Sequence, residues 1–223
     1  SVSTTLLIRD DNNTQLGAEN LLEGLEMFSG KKNLKNEIEI LSSFTLCKRV
    51  IEELNLGTSY YQHGFLKTNE LFGNSPFKVE VDSSHLQLTG VNFQITPLNK
   101  EEFTLSVSVS NEHPYNILSR NLDKSLIADI DINQKYTFNS LIETEFYSFI
   151  IYKSIHFNIE KIIDSEKYFS FKLHQTDKLA NELIQKIIIN PINIETSILK
   201  LNIRERNPRK SIHILNKITE IYI

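Results

Sequence analysis

The sequence predicts an α+β fold, in which a mixed and largely antiparallel β-sheet carries helices packed on one face. Two periodicities support this prediction. Between residues 77 and 172, apolar and polar residues alternate and turn residues are frequent, which is typical of strands with one wet face. Between residues 37 and 54, apolar residues recur at about 3.6 positions, which is typical of an amphipathic helix. Because helical and strand-like segments are interleaved along the chain, the combination indicates α+β.

The N-terminal residues predict a strand followed by a turn and a short helix. Residues 2–9 alternate and are rich in β-branched side chains, so we expect a strand there. The Asp and Asn side chains at 10–13 favour a turn, because they bond their own backbone. The following stretch is mixed, and a short helix is expected around 19–28.

The clearest helix prediction covers residues 37–54. Its apolar side chains gather on one face at helical spacing. Asn36 can serve as the N-cap, and Glu39 stands three residues later, as in a capping box. Asn55 and Gly57 are typical of a helix end and should stop it.

The central residues form an enlarged β-rich region, at about 75–175. Alternation of apolar and polar side chains predicts half-buried strands here. The predicted strands cover residues 77–81, 91–95, 103–107, 146–152, 155–159 and 168–173.

The C-terminal residues predict a helix, two strands and a last helix. A helix can begin near Asp177 and run through Leu183. Residues 187–189 could extend it, but three consecutive β-branched residues favour a strand, which Asn190-Pro191 should end. Residues 197–203 alternate and predict another strand.

The last helix should begin at Pro208, with Asn207 as its cap. Ile212, Leu215 and Tyr222 have a heptad-like spacing beyond that start.

Composition excludes some functional classes. The chain has 223 residues and a formal net charge of −4. This balance argues against a phosphate-binding protein such as a nucleic-acid binder, whose binding surface should be strongly basic. Cys47 is the single cysteine, so no intramolecular disulfide can form, and the compartment stays open. The sequence contains no apolar run near the roughly 20 residues that span a bilayer.

Motifs that carry catalysis are absent from the sequence, so we assign no catalytic, cofactor-binding or metal-ligating residue and expect no cofactor. The chain has no glycine-rich phosphate loop and no nucleophile elbow. Residues 10–17 faintly resemble a calcium loop, but Leu stands where its bidentate Glu is required. No two histidines have the i, i+4 spacing of a helical metal site. They lie at positions 63, 85, 113, 156, 174 and 213.

Some single residues admit two interpretations. Cys47 could be a nucleophile, but it lies on an apolar helix face and is better explained as a core residue. Glu52 and Glu53 are adjacent, diverge on a helix and fit a solvated face better than a catalytic pair. Aromatic side chains in strands are usually core or cross-strand pairs. An exposed row of them could instead stack on a sugar, and the sequence does not say which face is wet.

Three segments of the chain together carry a family resemblance. The first is Asn36–Ser43 with Val50–Leu56 and Tyr60-Tyr61, the second is Thr196–Leu201, and the third is Asn207-Pro208 with Ile212–Asn216 and Ile221-Tyr222. In that order, they resemble a helix of the Wzz-type chain-length determinants of bacterial polysaccharides, the strand before that family's last core helix, and the last core helix itself. Residues 4–8 lie where the family's first extracytoplasmic strand follows a membrane helix. Ser211 departs from the family's usual Ala, and the family's helical hairpin beyond this last helix is missing.

The long central region, with Ser75-Pro76-Phe77 and Phe103-Thr104-Leu105, is similar to the tyrosine-autokinase branch of the family. The resemblance implies that residues 1–223 form one extracytoplasmic domain of a longer protein, which two flanking helices anchor in the inner membrane on its periplasmic face. The abrupt start on a strand and the end inside a helical pattern agree with a fragment. Such a domain would regulate the chain length or export of capsular, exo- or O-antigen polysaccharide.

The partners implied by the resemblance are further copies of the chain in a homo-oligomeric ring, and the polysaccharide polymerase and export machinery. Nucleic acid is not an expected partner. The protein would be attached to the membrane through its flanking helices. The kinase activity of the autokinase branch would reside outside these residues, so this part is not expected to be an enzyme.

Two other functions stay open. An extracellular adhesin or glycan-binding α+β module would explain the aromatic strands. A small enzyme with an unrecognised active site is the other, although no nucleophile, base and orienting group stand out in the sequence.

Overall fold

The computed structural model describes residues 2–8, 34–65, 67–164, 167–193 and 196–223, and it confirms the α+β class. The helices are α1 (34–41), α2 (Phe44–Glu53), α3 (Ile159–Asp164), α4 (Thr176–Lys186) and α5 (Pro208–Tyr222). The strands are β1 (Val2–Leu7), β2 (Thr58–His63), β3 (Thr68–Leu71), β4 (Phe77–Val81), β5 (Leu86–Gln87), β6 (Asn92–Pro97), β7 (Glu102–Glu112), β8 (Tyr115–Asn116), β9 (Asn121–Leu122), β10 (Ala128–Thr137), β11 (Leu141–Glu143), β12 (Ser148–Lys153), β13 (Tyr168–Leu173), β14 (Ile187–Asn193) and β15 (Thr196–Ile203).

The chain divides into two compact units. The terminal unit contains Ser1–Asn55 and Thr176–Ile223, and the central unit contains Leu56–Gln175. The central unit includes the whole of the β-rich region that the sequence predicts at about 75–175. The assignment of 1–223 to one extracytoplasmic domain stays a prediction.

The terminal unit is built on a three-stranded antiparallel sheet in the order β1-β15-β14. Helix α5 packs on β1 and β15, while α2 packs on α4 and α5. The apolar side chains of β15 alternate, so one face of the strand supplies Leu199, Leu201 and Ile203 to the core. These three side chains are fully buried, which explains why this strand occupies the centre of the sheet.

The predicted helix over 37–54 is wrong as a single element, because α1 and α2 are separated at Ser42 and Ser43. The Ser42 hydroxyl donates to the carbonyl of Ile38 at 2.5 Å. Ser43 has an extended backbone, and its hydroxyl accepts from the Leu46 amide as the N-cap of α2. Serine side chains compete for backbone hydrogen bonds in this way, so adjacent serines favour a helix start over a helix interior.

The predicted cap at Asn36 is also wrong, since that residue lies inside α1. The predicted end of α2 is confirmed. Asn55 takes a positive φ of 52°, the left-handed conformation that follows a helix terminus.

Helix α5 confirms the predicted Asn207 cap, whose side chain accepts from the amides of Arg209 and Lys210. Of the residues with heptad-like spacing, Leu215 is buried and Ile212 is 46 % exposed. The buried stripe of the helix consists of Ser211, Ile214, Leu215 and Ile218. This stripe has the spacing of about 3.6 residues that is typical of a helix packed on one face of a globular core.

Two strand predictions are wrong in detail. The strand predicted at 155–159 is absent: residues 155–158 form a turn that leads into α3, which begins at Ile159. The side chains of Ser154 and Asn158 favour this turn, because they accept the backbone N–H groups of His156 and Lys161. Residues 187–189 are in a strand, as predicted, but the prediction that Asn190-Pro191 ends this strand is wrong. Strand β14 lies at a sheet edge, where the missing N–H of proline is tolerated, and it continues to Asn193.

The strands predicted at 77–81 and 168–173 are confirmed as β4 and β13, and the helix predicted from Asp177 is confirmed as α4. Residues 2–9, 91–95, 103–107, 146–152 and 197–203 also contain the strands expected there, with shifted ends. The turn at 10–13, its calcium-like motif and the helix at 19–28 lie outside the described residues.

The central unit combines a six-stranded antiparallel sheet, in the order β10-β7-β6-β13-β2-β3, with the three-stranded sheet β11-β12-β4. One face of each sheet contributes to a shared aromatic core. Phe93 and Phe171 stack at 4.9 Å between ring centroids, and Phe149 meets both edge-on. A third, small sheet has the order β5-β8-β9.

The two ends of the central unit are adjacent in space. Its first strand β2 pairs antiparallel with its last large strand β13, so that Thr58 lies opposite Leu173. The His174 amide also donates to the Gly57 carbonyl at 2.8 Å. An element whose ends are adjacent can be inserted into another fold with little disturbance, so the central unit has the geometry of an insertion.

Candidate functional site

The face of the six-stranded sheet that points away from the aromatic core is polar. Strands alternate their side chains between two faces, and the core takes Phe93, Ile95 and Leu105. The register then aligns the intervening residues in rows across neighbouring strands. One such row contains Asn133, Ser106, Gln94, Ser170 and Tyr61, from β10 to β2.

A groove with a volume of about 460 Å³ lies on this polar face. That volume falls within the range of small-molecule sites in proteins. We call it the polar-face groove. Its polar wall consists of Asn92, Gln94, Ser106, Ser108, Asp131 and Asn133, and its other end is formed by His63, Tyr168 and Ser170.

Tyr168 and His63 form a stacked pair at this other end. They are cross-strand neighbours on β13 and β2, with ring centroids 4.5 Å apart and planes within 3° of parallel. The His63 ring is held at both nitrogens, with Nε2 2.7 Å from the Ser170 hydroxyl and Nδ1 3.1 Å from the Thr68 hydroxyl. Tyr168 remains 40 % exposed. The fixed imidazole therefore supports an accessible aromatic ring.

Burial lowers the pKa of His63, since desolvation penalises the charged imidazolium. The ring is consequently neutral near pH 7, with one nitrogen donating and the other accepting. A neutral ring can stack on Tyr168 without bringing a positive charge to the groove.

The charges around the groove are sparse. Among the described residues that line it, none is Lys or Arg, and Asp131 is the one carboxylate. Lys135 and Lys172 are register neighbours on the same sheet face, outside the lining. The groove is therefore poorly suited to phosphate or a polyanion, which proteins bind with clustered cations.

Several polar side chains of the groove have their hydrogen-bonding capacity available. Ser106 donates to the Asn133 Oδ1 at 2.9 Å, which leaves the Asn133 amide hydrogens free to donate elsewhere. Within the described part of the chain, no side-chain hydrogen bond engages Asn92, Gln94 or Asp131. The groove thus presents both donors and acceptors to a ligand.

The His63–Ser170 contact has the length of a nucleophile–base hydrogen bond, but the surroundings differ from those of a hydrolase. Ser170 is only 2 % exposed. The second nitrogen of His63 meets the Thr68 hydroxyl, whereas a catalytic histidine is usually oriented by a carboxylate or amide. The pair is better suited to fixing the imidazole than to covalent chemistry.

The residues that the sequence singled out do not converge on this groove, apart from His63. Cys47 is fully buried in α2, which confirms the core interpretation, and burial raises the pKa of its thiol to about 11. Glu53 forms ion pairs with Arg49 at 2.6 Å and Lys217 at 3.4 Å, and the hydrogen bond from Arg49 is the main reason that its pKa is lowered.

The described histidines, cysteine and carboxylates include no group of three or more that could hold a metal ion.

The sequence does not predict the residues of the groove, because none of them belongs to a recognisable motif. Gln94 and Ser170 are polar positions in alternating strands, and such positions are usually just the wet face. Their alignment depends on the register between strands up to 107 residues apart, which periodicity does not encode. The one available signal was the aromatic Tyr168 at a polar position of its strand.

Within the described ranges, no helix is both long enough and apolar enough to cross a bilayer.

Compared with known proteins, the sequence matches no protein-family model and no curated protein.

Proposed function

We propose that the chain is a non-catalytic extracytoplasmic domain of a Wzz-type polysaccharide co-polymerase, of the branch that includes bacterial tyrosine autokinases. In this role it regulates the length or export of a capsular, exo- or O-antigen polysaccharide by oligomeric assembly. The observation that supports the proposal is the spatial convergence of the segments that resemble the family.

These segments are far apart in sequence but contiguous in the terminal unit. Residues 4–8 belong to β1 and its end, and 196–201 belong to β15. The two strands pair directly, with Thr4 opposite Leu201 and Leu6 opposite Leu199. Helix α5, which carries the third segment, packs on both strands, and α2 packs on α5. Segments that belong to one shared architecture are expected to pack together in a single core.

The central unit is consistent with the same proposal. It contains residues 75–175, the region that the resemblance implies is longer than in simple chain-length regulators. Because its first and last strands are paired, it can be an addition that leaves the terminal unit intact. Of the segments that resemble the family as a whole, Leu56, Tyr60 and Tyr61 fall in this unit, the two tyrosines on β2. The unit also contains Ser75–Phe77 and Phe103–Leu105, which carry the resemblance to the autokinase branch.

A role without bond-making chemistry agrees with the site geometry. The proposed partners are other copies of the chain and the polymerase and export machinery, and the proposed location is the periplasmic face of the inner membrane. A membrane tether raises the local concentration of copies, so individually weak lateral contacts are sufficient for assembly.

The test uses the complete natural protein. We expect apolar runs of roughly 20 residues on both sides of residues 1–223. Cross-linking of the protein in its native membrane should give oligomers, and deletion of its gene should change the length distribution of a surface polysaccharide. Natural termini at Ser1 and Ile223, or catalytic turnover by the chain alone, would refute the proposal.

The second candidate is an extracellular adhesin or glycan-binding module. The polar-face groove favours it, because the groove belongs wholly to the central unit and does not need a membrane assembly. A secretory signal and repeated modules in the natural protein, without paired apolar flanks, would support this second candidate instead.

A further inference from the structure

The geometry points to the polar-face groove as a binding site for an uncharged oligosaccharide. This inference deepens the proposed function, on which it rests for the source of the saccharide, but its test needs no membrane assembly. It is drawn from the chemistry of the groove, whose shape, polar groups, aromatic edge and charge each restrict the ligand.

The shape and the polar groups point to a polyhydroxylated ligand. Residues from β2, β6, β7, β10 and β13 line the groove, so a chain-like ligand can lie across several strands. Gln94 and Asn92 offer amide donors and acceptors, and Asp131 offers a carboxylate acceptor. Sugar hydroxyls donate and accept at closely spaced positions, and amide and carboxylate groups can bond two of them at once.

The aromatic edge points to a ligand with apolar C–H faces. Tyr168 is accessible and rigid, because it stacks on an imidazole that two hydroxyls hold in place. A pyranose ring has one face rich in C–H groups, which can pack on an aromatic ring while its hydroxyls bond the polar wall. A fixed ring loses little conformational entropy when it binds.

The charge of the groove selects an uncharged saccharide over an acidic one. Asp131 would repel a uronate or phosphate, and no described Lys or Arg lines the groove to compensate. The ligand class is therefore a neutral hexose or N-acetylhexosamine oligomer.

The experiment titrates the full chain with short uncharged oligosaccharides of glucose and of N-acetylglucosamine, and with a uronic-acid oligosaccharide of equal length. Amide chemical shifts locate the site, and calorimetry gives the affinity. We expect at least one uncharged oligosaccharide to shift the amides of β6, β7, β10 and β13. The acidic oligosaccharide should bind more weakly.

Two variants test the residues. Tyr168→Ala should weaken binding by roughly 3- to 10-fold through the lost stacking. Gln94→Ala should weaken it by a similar factor, roughly 3- to 10-fold, through a lost hydrogen bond. The matched control is Tyr152→Ala, which removes a half-exposed strand tyrosine from β12, in the other sheet, and should leave the affinity unchanged. Far-UV circular dichroism should show that all three variants remain folded.

Three results would overturn the inference: no binding of any uncharged oligosaccharide in the panel, shifts located away from the groove, or equal affinity in Tyr168→Ala, Gln94→Ala and the wild-type chain. These results concern the groove alone. The co-polymerase proposal fails on different grounds, through the flanking sequence and the polymer length, so the two failures are distinguishable.

Discussion

Several single side chains stabilise this protein because they are buried and their polar atoms are hydrogen-bonded. Gln87 is fully buried, and its amide nitrogen donates to the carbonyls of Asp82 and Ser148, each at 2.9 Å. Its amide oxygen accepts from the Ser148 backbone at 3.4 Å. This residue therefore joins β5 to β12 through side-chain contacts that no backbone ladder provides. At the same scale, Cys47 shows how burial removes reactivity from a residue that is nucleophilic in solution.

Replacing Gln87 by leucine should destabilise the protein strongly. The shorter apolar side chain removes the acceptor of the Ser148 amide and one donor each to the carbonyls of Asp82 and Ser148, which also accept from the amides of His85 and Asp82. We expect a loss of about 1–3 kcal/mol in the free energy of unfolding. Urea denaturation followed by circular dichroism measures the loss. The control is Gln134→Leu on the exposed part of β10, which should change stability by less than about 0.5 kcal/mol. Equal effects of both substitutions would show that burial of Gln87 is not the cause.

Cys47 should resist thiol reagents in the native protein. With a thiol pKa raised to about 11, only a small fraction is thiolate at pH 8, and burial excludes the reagent as well. Labelling with a chromogenic disulfide should be slow in buffer and rapid in guanidinium, where the thiol regains its ordinary pKa. Cys47→Ser provides the blank. Complete labelling of the folded chain within seconds would contradict the buried position.

Secondary-structure elements begin and end where short polar side chains bind the backbone. Ser43 starts α2, Asn158 precedes α3, and Asn207 starts α5. The same side chains explain both a correct and an incorrect prediction. Asn207 stands before a proline, so the sequence predicts only a helix start there. Ser42 and Ser43 instead lie within a continuous apolar stripe, so the sequence allows them to be inside a helix.

The Asn207 cap should contribute measurably to stability. Asn207→Ala removes an acceptor of two backbone N–H groups, and we expect a loss of about 1 kcal/mol. The matched control makes the same substitution in the exposed interior of α5. Asn216→Ala should instead stabilise the helix by a few tenths of a kcal/mol, at roughly the difference in helix propensity. Chemical denaturation compares the two, and an effect of the same sign at both positions would refute the capping role.

At the scale of the whole molecule, the chain forms two compact units, each with its own apolar core. The core of the central unit is drawn entirely from residues between 77 and 173. The terminal unit combines the first and last parts of the chain, through the pairing of β1 with β15. This arrangement gives each unit its own apolar interior and leaves the polar-face groove on the central unit alone.

The central unit should fold when it is produced as residues 56–175. It has its own aromatic core, and its two ends are neighbours, so excision leaves its internal contacts in place. We expect dispersed amide resonances and a cooperative thermal transition. Phe171→Ala within this piece should cost about 3–5 kcal/mol because it opens a cavity in that core. An excised piece without a cooperative transition would show that the unit depends on the rest of the chain.

The isolated chain should be a monomer or a weak oligomer. The proposed ring depends on a membrane tether that concentrates the copies, and the isolated chain lacks that concentration. Light scattering at about 10 μM should give a mass near the 25.8 kDa of one chain. A stable closed ring in solution would contradict this expectation and would mean that lateral contacts are strong by themselves.

The sequence by itself determined the α+β class, the type of most elements and the cap of α5, because these depend on local periodicity and on side chains bonding to nearby backbone. It also indicated correctly that Cys47 is buried. The tertiary structure alone decided which face of α5 is buried, where the helix predicted at 37–54 breaks and how the chain divides into two units. It alone brought His63, Tyr168 and Gln94 together in one groove. The physical reason is that strand register joins residues many positions apart, and no local pattern in the chain specifies that register.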